Sequence, residues 1–315
     1  MNVTVTGSGN VSVSVSVSVS RRGRLAPTPT GLLHVGHART FSLAAERAGS
    51  AGLVMRIENL DGPRCRPEYA AAAIDDLRWL GLTWLEGPDV GGPHSPYVQS
   101  ERATWYLEIW RRLEATGLIY PSPHSRSDVE AAATAPHDTR NSPRSENPAL
   151  PPFPTEPIFP PALRPAGWER AGEPGGVAWR FRVPDGRVIE FTDGLCGTVH
   201  RTAGVDFGDF VVWRRDDLAA YELAVVADDH AMEIAEVVRG ADLLTSTARQ
   251  LLLCEALGWT PPAFAHAPLV CDANGHRLAK RTGGLAIRGL RAAGWSPADV
   301  LTRSLPADGS AESVG

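Results

Sequence analysis

The stretch that most constrains the fold is "RLAPTPTGLLHVGH", from Arg24 to His37. A short apolar step is broken by two prolines and a glycine, and apolar residues at helical spacing follow the break. The stretch therefore predicts a strand, a tight loop and the start of a helix. The first turn of a helix attracts phosphate, because its backbone N–H groups are unpaired and the helix dipole is positive there. His34 and His37 share one face of that turn, and Gly36 leaves room for a nucleotide.

Composition limits the class of protein. The 315 residues can bury a large core and predict about two domains. A net charge of −5 argues against a protein that holds nucleic acid by its overall charge, although a local basic face remains open. The four cysteines form no C-x-x-C pair, which favours a reducing cytosol over a disulfide framework or a zinc ribbon. No stretch has the roughly 18 consecutive apolar residues of a membrane-spanning helix, so we expect a cytoplasmic protein without membrane contact.

The amino terminus has an unusual composition. "VSVSVSVSVS", from Val11 to Ser20, alternates as a strand does, but it lacks the features of a secretory signal. We expect residues 1–23 to be a low-complexity, disordered extension. An extra edge strand is the alternative interpretation.

Strands and helices alternate in the first third of the chain. "GLVMRIENL", residues 52–60, predicts a buried strand, and the next segment predicts a helix that begins at Pro67 and ends near Gly81. A further helix follows, with Ser100 as its expected cap and Gly117 as its end. This alternation predicts a parallel sheet with right-handed connections.

The second half begins with a proline-rich irregular segment, residues 134–176. "AWRFRV", "RVIEFTD" and "DFVVWRR" then predict an antiparallel patch. "YELAVVADD", from Tyr221 to Asp229, predicts a continuous apolar strand that ends in acids, and "DLLTSTARQLLLCEALG" predicts an amphipathic helix. "HAPLVCDANGHRLAKRTGG" predicts a strand, a turn at Asn274 and Gly275, and a basic loop.

Several motifs together resemble the class I aminoacyl-tRNA synthetases, in the form found in glutamyl-tRNA synthetases. "APTPTGLLHVGHART" resembles their HIGH element, and "MRIENLD", "YELAVVADDH" and "VVRGADLLTSTARQ" follow in the family's order. "RLAK" stands where the KMSKS element is expected, although Arg277 and Ala279 depart from it. The resemblance extends from about Arg24 to Leu301 and implies an α/β fold, a Rossmann-type class I synthetase catalytic domain with an inserted α+β subdomain.

The resemblance also implies the domain organisation. The two halves of the catalytic domain are expected at 24–119 and 203–275, on either side of an inserted subdomain at 120–202. A KMSKS-like loop and short C-terminal helices are expected at 276–315. These residues leave no room for a helical anticodon-binding domain.

This organisation is similar to that of the stand-alone catalytic paralogues, the glutamyl-queuosine tRNA(Asp) synthetase family. The resemblance then implies an ATP-dependent ligase that activates L-glutamate and transfers it to queuosine in the anticodon of tRNA(Asp). We expect ATP as a substrate, with Mg²⁺, and a monomeric protein. Three alternatives stay open: a truncated glutamyl-tRNA synthetase that charges the tRNA 3′ end, an enzyme that makes only the adenylate, and an inactive synthetase-like RNA-binding module.

Adenylate formation places charge on phosphate oxygens, so catalysis depends on positioning and electrostatics. The resemblance assigns His34, Gly36, His37 and Lys280 to ATP, with His34, His37 and Lys280 as the catalytic residues. Without the flanking loop, the two histidines would be interpreted as a helix-surface pair or a metal site. A solvated basic turn is the alternative for Lys280.

Glutamate requires partners for two carboxylates and one ammonium group, and arginine and buried carboxylate side chains suit these charges. Family position assigns these roles to Arg24, Glu58, Tyr221 and Arg239. Backbone groups of the loop are expected to assist, from Leu25, Ala26, Pro27 and Thr28. The alternative for Glu58 is an ion pair with Arg56 or Arg64, and Tyr221 and Arg239 would otherwise be ordinary core and surface residues.

The family commonly holds a structural zinc ion in the inserted subdomain. The corresponding positions in this chain are Ser122, His124, Phe159 and Leu163. Serine, phenylalanine and leucine do not form a zinc site. We therefore expect that the structural zinc is absent and that His124 is an exposed loop histidine.

Overall fold

A computed structural model describes residues 2–5, 11–14, 21–134, 157–269 and 286–302 of the chain. Its strands are β1 (Asn2–Val5), β2 (Val11–Ser14), β3 (Gly23–Leu25), β4 (Leu53–Met55), β5 (Ile119–Ser122), β6 (Ala178–Phe181), β7 (Val188–Asp193), β8 (Gly197–Thr202), β9 (Phe210–Trp213), β10 (Glu236–Gly240) and β11 (Ala263–Ala267). Its helices are α1 (Val35–Ala48), α2 (Pro67–Trp79), α3 (Ala103–Thr116), α4 (Arg126–Thr134), α5 (Tyr221–Ala231), α6 (Leu244–Leu257), α7 (Ile287–Ala292) and α8 (Pro297–Thr302).

Parallel strands form the centre of the catalytic fold. β3 pairs in parallel with β4, and β10 pairs in parallel with β11. The backbone N–H groups of Ala235 and Glu236 both donate to the carbonyl of Arg22, so β10 begins beside the start of β3. The arrangement is the Rossmann-type α/β fold expected from the sequence. It brings the carboxyl ends of β3, β4 and β10, where ligands of such sheets collect, towards one another.

The first helix forms because its apolar residues recur on one face. Val35, Ala38, Phe41 and Ala44 are buried at helical spacing and pack in one core cluster with residues of β3 and β4. The helix ends at Gly49, whose φ of +50° is easily adopted by glycine. The predicted strand, loop and helix start are confirmed.

The segment from β5 to β9, residues 119–213, contains two antiparallel arrangements. β6 lies between β5 and β9 in a three-stranded sheet, and β7 forms a hairpin with β8. β8 had not been predicted as a strand. Because β7 also pairs in parallel with β11 through Asp193 and Phe264, it connects the hairpin to the catalytic sheet instead of joining the β5–β6–β9 sheet.

Three predictions of secondary structure are wrong in detail. The segment that begins at Tyr221 is a helix, α5, and not a strand. β4 covers only Leu53–Met55 of the strand expected at 52–60. Ser100 lies in a short 3₁₀ turn, and Arg102 precedes the first residue of α3, whose end at Gly117 is as predicted.

In the amino-terminal extension the structure describes β1, β2 and residues 21–23, where β3 begins. β1 and β2 pair antiparallel with each other, in a sheet of their own, where we had expected a disordered segment. No helix among the described residues is long and apolar enough to cross a bilayer.

Candidate active site

The loop after β3 ends at His34, and His37 lies in the first turn of α1. His34 is the N-cap residue, and its Nδ1 accepts a hydrogen bond from the backbone N–H of Gly36 at 3.1 Å. The backbone N–H of His34 donates to Nδ1 of His37 at 3.2 Å, which completes a capping box. Because each Nδ1 is an acceptor, each neutral ring carries its proton on Nε2. The two ring centroids are 3.8 Å apart.

The capping box makes both histidines hydrogen-bond donors through Nε2 at a helix N-terminus. Donors of this kind, together with the dipole of α1, favour phosphate oxygens. The structure thus brings together His34, Gly36 and His37 as the sequence predicts, and it supplies the reason why both imidazoles are donors. Their role towards ATP stays a prediction.

The four side chains assigned to glutamate come from separate parts of the chain and lie close together. Arg24 is in β3, Glu58 follows β4, Tyr221 begins α5 and Arg239 is in β10. Desolvation raises the pKa of Tyr221 to about 12, and the charges of Arg239, Glu58 and Arg24 all act on its hydroxyl. The residue is nevertheless 39% exposed, so part of its ring is accessible.

Arg24 is buried and held from two directions. Its Nη1 donates to the carbonyl oxygen of Val238 at 2.9 Å, and its Nε lies 3.7 Å from Oδ1 of Asp229. Burial lowers the pKa of Arg24, which the carboxylate of Asp229 partly opposes. The guanidinium is therefore fixed between β3 and β10 before any ligand binds.

Glu58 forms the ion pair that we considered as its alternative role. Its Oε1 accepts from Nη2 of Arg56 at 2.8 Å and from Nε of Arg56 at 3.3 Å. Arg64 pairs instead with Asp61. Desolvation raises the pKa of Glu58, although the charge of Arg56 acts in the opposite direction. An ion pair inside the protein does not prevent Glu58 from also meeting an ammonium group, because a carboxylate has several acceptor positions.

Arg56 is completely buried and links Glu58 to two acids of α5. Its Nη1 donates to Asp229 at 2.8 Å, and its Nε lies 3.7 Å from Asp228. Burial opposes the charge of Arg56, but the carboxylates of Asp229, Glu58 and Asp228 together hold its pKa well above the usual value. The motif around Arg56 was recognisable in the sequence, but the only role expected of this residue was pairing with Glu58.

The backbone of the loop after β3 runs beside the segment that follows β4. The carbonyl of Leu25 accepts from the N–H of Arg56 at 2.9 Å, and the carbonyl of Pro27 accepts from the N–H of Glu58 at 3.1 Å. Ala26 is half-buried, and Thr28 is exposed. The backbone of the loop predicted to assist glutamate binding is thus hydrogen-bonded to the backbone of Arg56 and Glu58.

Arg239 is held by three residues that sequence reasoning did not select. Its Nη2 donates to the hydroxyl of Thr247 at 2.7 Å, and its Nε donates to Nε2 of His266 at 3.2 Å. Nδ1 of His266 lies 2.6 Å from Oδ2 of Asp193. The Nη1 of Arg239 is 3.5 Å from the hydroxyl of Tyr221. The available sequence signal was a histidine inside the apolar strand "AFAHA", where an unpaired polar side chain would be costly.

Lys280 and the altered KMSKS-like motif lie outside the described residues. The predicted role of Lys280 stays a prediction. The described part of the chain resumes at Ala286, which forms an isolated antiparallel bridge with His34.

The family's zinc positions are occupied by a packed cluster. Phe159 is buried, with the guanidinium of Arg180 at 4.4 Å from its ring centroid and the ring of His124 at 6.3 Å. Nε of Arg180 also donates to Ser122 at 3.2 Å, and Leu163 packs against the same apolar cluster. The half-buried guanidinium of Arg180 in this place would repel a second cation. Among the described residues, no group of three or more His, Cys, Asp or Glu side chains could hold a metal ion.

Comparison with known proteins gives a consistent set of matches. The family described as "tRNA synthetases class I (E and Q), catalytic domain" matches residues 20–303. A curated relative from Symbiobacterium thermophilum, named "Glutamyl-Q tRNA(Asp) synthetase", is 49% identical over 284 residues, which cover 89% of this chain and 84% of the relative. A protein of the same name from Nitratidesulfovibrio vulgaris is 45% identical, with 89% and 83% covered.

Longer proteins match over part of their length. "Glutamate--tRNA ligase 2" of Syntrophus aciditrophicus is 39% identical over 89% of this chain but 56% of its own length. The crystal structure of a glutamate tRNA ligase from Elizabethkingia meningosepticum in complex with its amino acid superposes with a TM-score of 0.64 at 28% identity. That alignment covers 83% of this chain and 52% of the other, so the chain spans about half the length of this solved structure.

Proposed function

The chain belongs to the class I tRNA synthetase family (E and Q), and on that premise we propose that it is an ATP-dependent ligase that activates L-glutamate and transfers it to queuosine in tRNA(Asp). The observation that carries this proposal is the match to two proteins named for that reaction, at 49% and 45% identity over 84% and 83% of their length. The glutamate–tRNA ligase match is weaker, at 39% identity, and covers 56% of the relative.

The first step forms glutamyl-adenylate. A carboxylate oxygen of glutamate attacks the α-phosphorus of ATP, a new P–O bond forms, and the bond to the leaving pyrophosphate breaks. The charge that builds on the phosphate oxygens would be met by Nε2–H of His34 and His37 and by the N-terminus of α1, with Gly36 allowing close approach. We assign Lys280 the same task from its loop, and we expect Mg²⁺ to enter with the phosphates of ATP.

The four clustered side chains suit glutamate. Arg24 and Arg239 offer guanidinium groups for its carboxylates, and Glu58 offers a carboxylate for its ammonium group. Tyr221 adds a hydroxyl beside Arg239, and the loop at residues 25–28 adds backbone groups.

The second step transfers the glutamyl group. A hydroxyl of the queuosine cyclopentenediol attacks the activated carbonyl carbon, an ester bond forms and AMP leaves, with the hydroxyl proton released. An unpaired anticodon base exposes its groups to a protein, so a diol there is accessible. We propose that one copy of the chain in the cytoplasm performs both steps.

Activation is tested by ATP–pyrophosphate exchange in the absence of tRNA. We expect exchange that depends on glutamate and is not supported by glutamine or aspartate. A folded sample without any exchange would contradict the activation step and support an inactive RNA-binding module.

Transfer is tested with labelled glutamate and matched tRNA(Asp) samples with and without queuosine. We expect label only on tRNA that carries queuosine, and loss of acceptor activity after periodate oxidation of the diol. Because periodate also oxidises the 3′-terminal ribose, a third sample should carry queuosine but lack the terminal adenosine. Label on that sample supports the proposal. Equal labelling of tRNA that lacks queuosine, or loss of label with the terminal adenosine, would identify a 3′-end ligase instead.

A further inference from the structure

The guanidinium of Arg239 is fixed on two of its three nitrogens by protein groups. Nη2 donates to Thr247 Oγ1 at 2.7 Å, and Nε donates to His266 Nε2 at 3.2 Å. The guanidinium of Arg239 lies over the ring of Phe264, with its carbon 5.5 Å from the ring centroid. Both Thr247 and His266 are completely buried. The Nη1 side, next to the Tyr221 hydroxyl at 3.5 Å, is the side left towards the proposed glutamate site.

The contact with Arg239 determines which nitrogen of His266 carries the proton. An arginine Nε is always a donor, so His266 Nε2 must present a lone pair. The Thr247 hydroxyl lies 3.0 Å from the same Nε2 and 3.4 Å from the carbonyl oxygen of Leu243, to which it can donate its proton. The proton of the imidazole is therefore on Nδ1, which donates to Oδ2 of Asp193 at 2.6 Å.

Asp193 is held at the end of β7 by backbone donors. Its Oδ1 accepts from the N–H groups of Leu195 at 2.9 Å, Cys196 at 2.9 Å and His266 at 3.1 Å. The pairing of Asp193 with Phe264 between β7 and β11 places the carboxylate beside His266. Although burial acts against it, hydrogen bonds from His266 and from these backbone groups lower the pKa of Asp193.

The protonation states agree with this geometry. Desolvation lowers the pKa of His266 and outweighs the hydrogen bond with Asp193, which acts to raise it, while the charge of Arg239 also lowers it; the neutral imidazole is therefore favoured. A neutral ring with its proton on Nδ1 is the form that accepts from arginine.

We propose that Asp193, His266 and Thr247 form an arginine clamp that holds Arg239 in the orientation needed to bind a carboxylate of the acidic substrate. Asp193 selects the tautomer of His266, His266 accepts from Nε, and Thr247 accepts from Nη2. All three are buried and act on the substrate through the guanidinium of Arg239, so they are positioning residues. The clamp rests on the proposed function for the identity of its ligand, glutamate.

The sharpest test is Asp193→Asn, which changes almost no volume. The three backbone donors require an oxygen at the Oδ1 position, so the new amide nitrogen must occupy the Oδ2 position. Its N–H then donates to Nδ1 of His266 and moves the imidazole proton to Nε2. That proton faces the Nε–H of Arg239, and two donors oppose each other.

The readout is the kinetics of ATP–pyrophosphate exchange. In Asp193→Asn we expect the KM for glutamate to rise on the order of tenfold or more, the scale of one lost hydrogen bond to a charged group. The KM for ATP and kcat should remain within about threefold of the original values, because a lost ground-state contact acts on the substrate it binds. Equal losses in kcat and in both KM values would indicate a merely structural role and overturn the proposal.

Thr247 supplies a matched pair of variants. Thr247→Val removes the acceptor for Nη2 at constant shape and should raise the KM for glutamate, whereas Thr247→Ser keeps the hydroxyl and should retain the original KM. Tyr120→Phe is the control, because it removes a buried hydrogen bond to the carboxylate of Asp209 that is not part of the contacts around Arg239. It should leave both KM values unchanged. If Asp193→Asn does not fold, the comparison of Thr247→Val with Thr247→Ser tests the clamp. Equal KM values for glutamate in these two variants would overturn it.

A measurement without activity separates the clamp from the proposed function. ¹⁵N NMR of the His266 ring should show a protonated Nδ1 in the original protein and a protonated Nε2 in Asp193→Asn. A protonated Nε2 in the original protein would overturn the clamp, and so would an unchanged KM for glutamate in a variant whose proton has moved. Absence of glutamate-dependent exchange in the original protein would refute the proposed function, while the NMR result would still stand for or against the clamp.

Discussion

Replacing Arg56 by methionine tests how the charged centre of the site is stabilised. The guanidinium is completely buried and pairs with Glu58 and Asp229 at 2.8 Å each. Asp228 would keep its bonds from Arg102 and Tyr106 after the substitution. Asp229 would also lose its bond from Arg56 but would keep the guanidinium of Arg24 at 3.7 Å. Glu58 would lose both hydrogen bonds from Arg56, which leaves a carboxylate of raised pKa in a desolvated place.

We expect Arg56→Met to lower the free energy of unfolding by about 3–5 kcal/mol, the usual cost of removing one member of a buried ion pair. Since unfolding free energies are about 5–15 kcal/mol, this is a large part of the total. With a urea slope of about 2 kcal/mol/M, the midpoint of a urea titration should fall by roughly 2 M. Tryptophan fluorescence or circular dichroism at neutral pH can follow the transition.

Arg187→Met is the matched control. Arg187 makes two hydrogen bonds of 2.8 Å to Glu255, but both side chains are about half exposed. The same substitution should therefore cost less than about 1 kcal/mol. Similar, small losses in the two variants would show that burial does not set the strength of the Arg56 pairs and would refute the reasoning.

A second variant and a pH series identify the responsible carboxylate. Arg56→Met combined with Glu58→Gln should be more stable than Arg56→Met alone, because the buried charge is then removed. The folded-state pKa of Glu58 is already raised by desolvation and should rise further without Arg56. The penalty is therefore present above that pKa and decreases as the pH falls through it. A deficit that grows with acidification would contradict this assignment.

Three further outcomes can be measured. Lys280→Ala should slow glutamate activation by on the order of 10²–10³ with little change in glutamate binding, and an unchanged rate would exclude Lys280 from the mechanism. Metal analysis of untagged protein should find no stoichiometric zinc, since three of the four family positions carry poor ligands; one zinc ion per chain would contradict this. Glu86→Gln should destabilise the protein most above about pH 4.5 and progressively less towards pH 2. The reason is that hydrogen bonds from Tyr97, Arg22 and His94 outweigh the burial of Glu86 and lower its pKa to about 2. A pH-independent loss would contradict that assignment.

The helix start at His34 could be predicted because its signals are local. Prolines and a glycine fix the loop, and apolar residues at helical spacing fix the helix within fewer than 20 residues. The same holds for α2, which begins at Pro67 as predicted. The role of the Nδ1 atoms in the capping box could not be predicted, because it depends on side-chain rotamers.

The helix at Tyr221 could not be predicted as a helix from its pattern. Eight of the 11 residues of α5 are buried, so neither the alternation of a strand nor the apolar stripe of a surface helix is visible. A short apolar run fits a buried strand equally well, and the contacts of α5 with α3 and α6 decide between the two. Tyr221 nevertheless reaches the predicted site, where its hydroxyl lies 3.5 Å from Nη1 of Arg239 in β10.

The partners of Arg239 could not be predicted because they are distant in sequence. Asp193 and His266 are 73 residues apart, and only the parallel pairing of β7 with β11 brings them together. From the sequence, β7 was expected in the antiparallel patch of the insertion. That placement would have kept Asp193 away from His266 in the catalytic sheet. A correct prediction would have required the order of the strands in the sheet, because no local pattern around Asp193 or His266 indicates the other residue.

The three charged side chains that we assign to glutamate have signs that complement an acidic amino acid. Arg24 and Arg239 supply two positive charges and Glu58 one negative charge, whereas glutamate carries two carboxylates and one ammonium group. Each of the three is already held by protein: Arg24 by a carbonyl of β10, Arg239 by His266, and Glu58 by Arg56. We therefore expect little reorganisation of these side chains on binding of glutamate, which is the condition under which buried charges contribute most to recognition and catalysis. A neutral amide in place of the side-chain carboxylate would leave one buried guanidinium without its counter-charge, and this gives a physical reason for the expected rejection of glutamine.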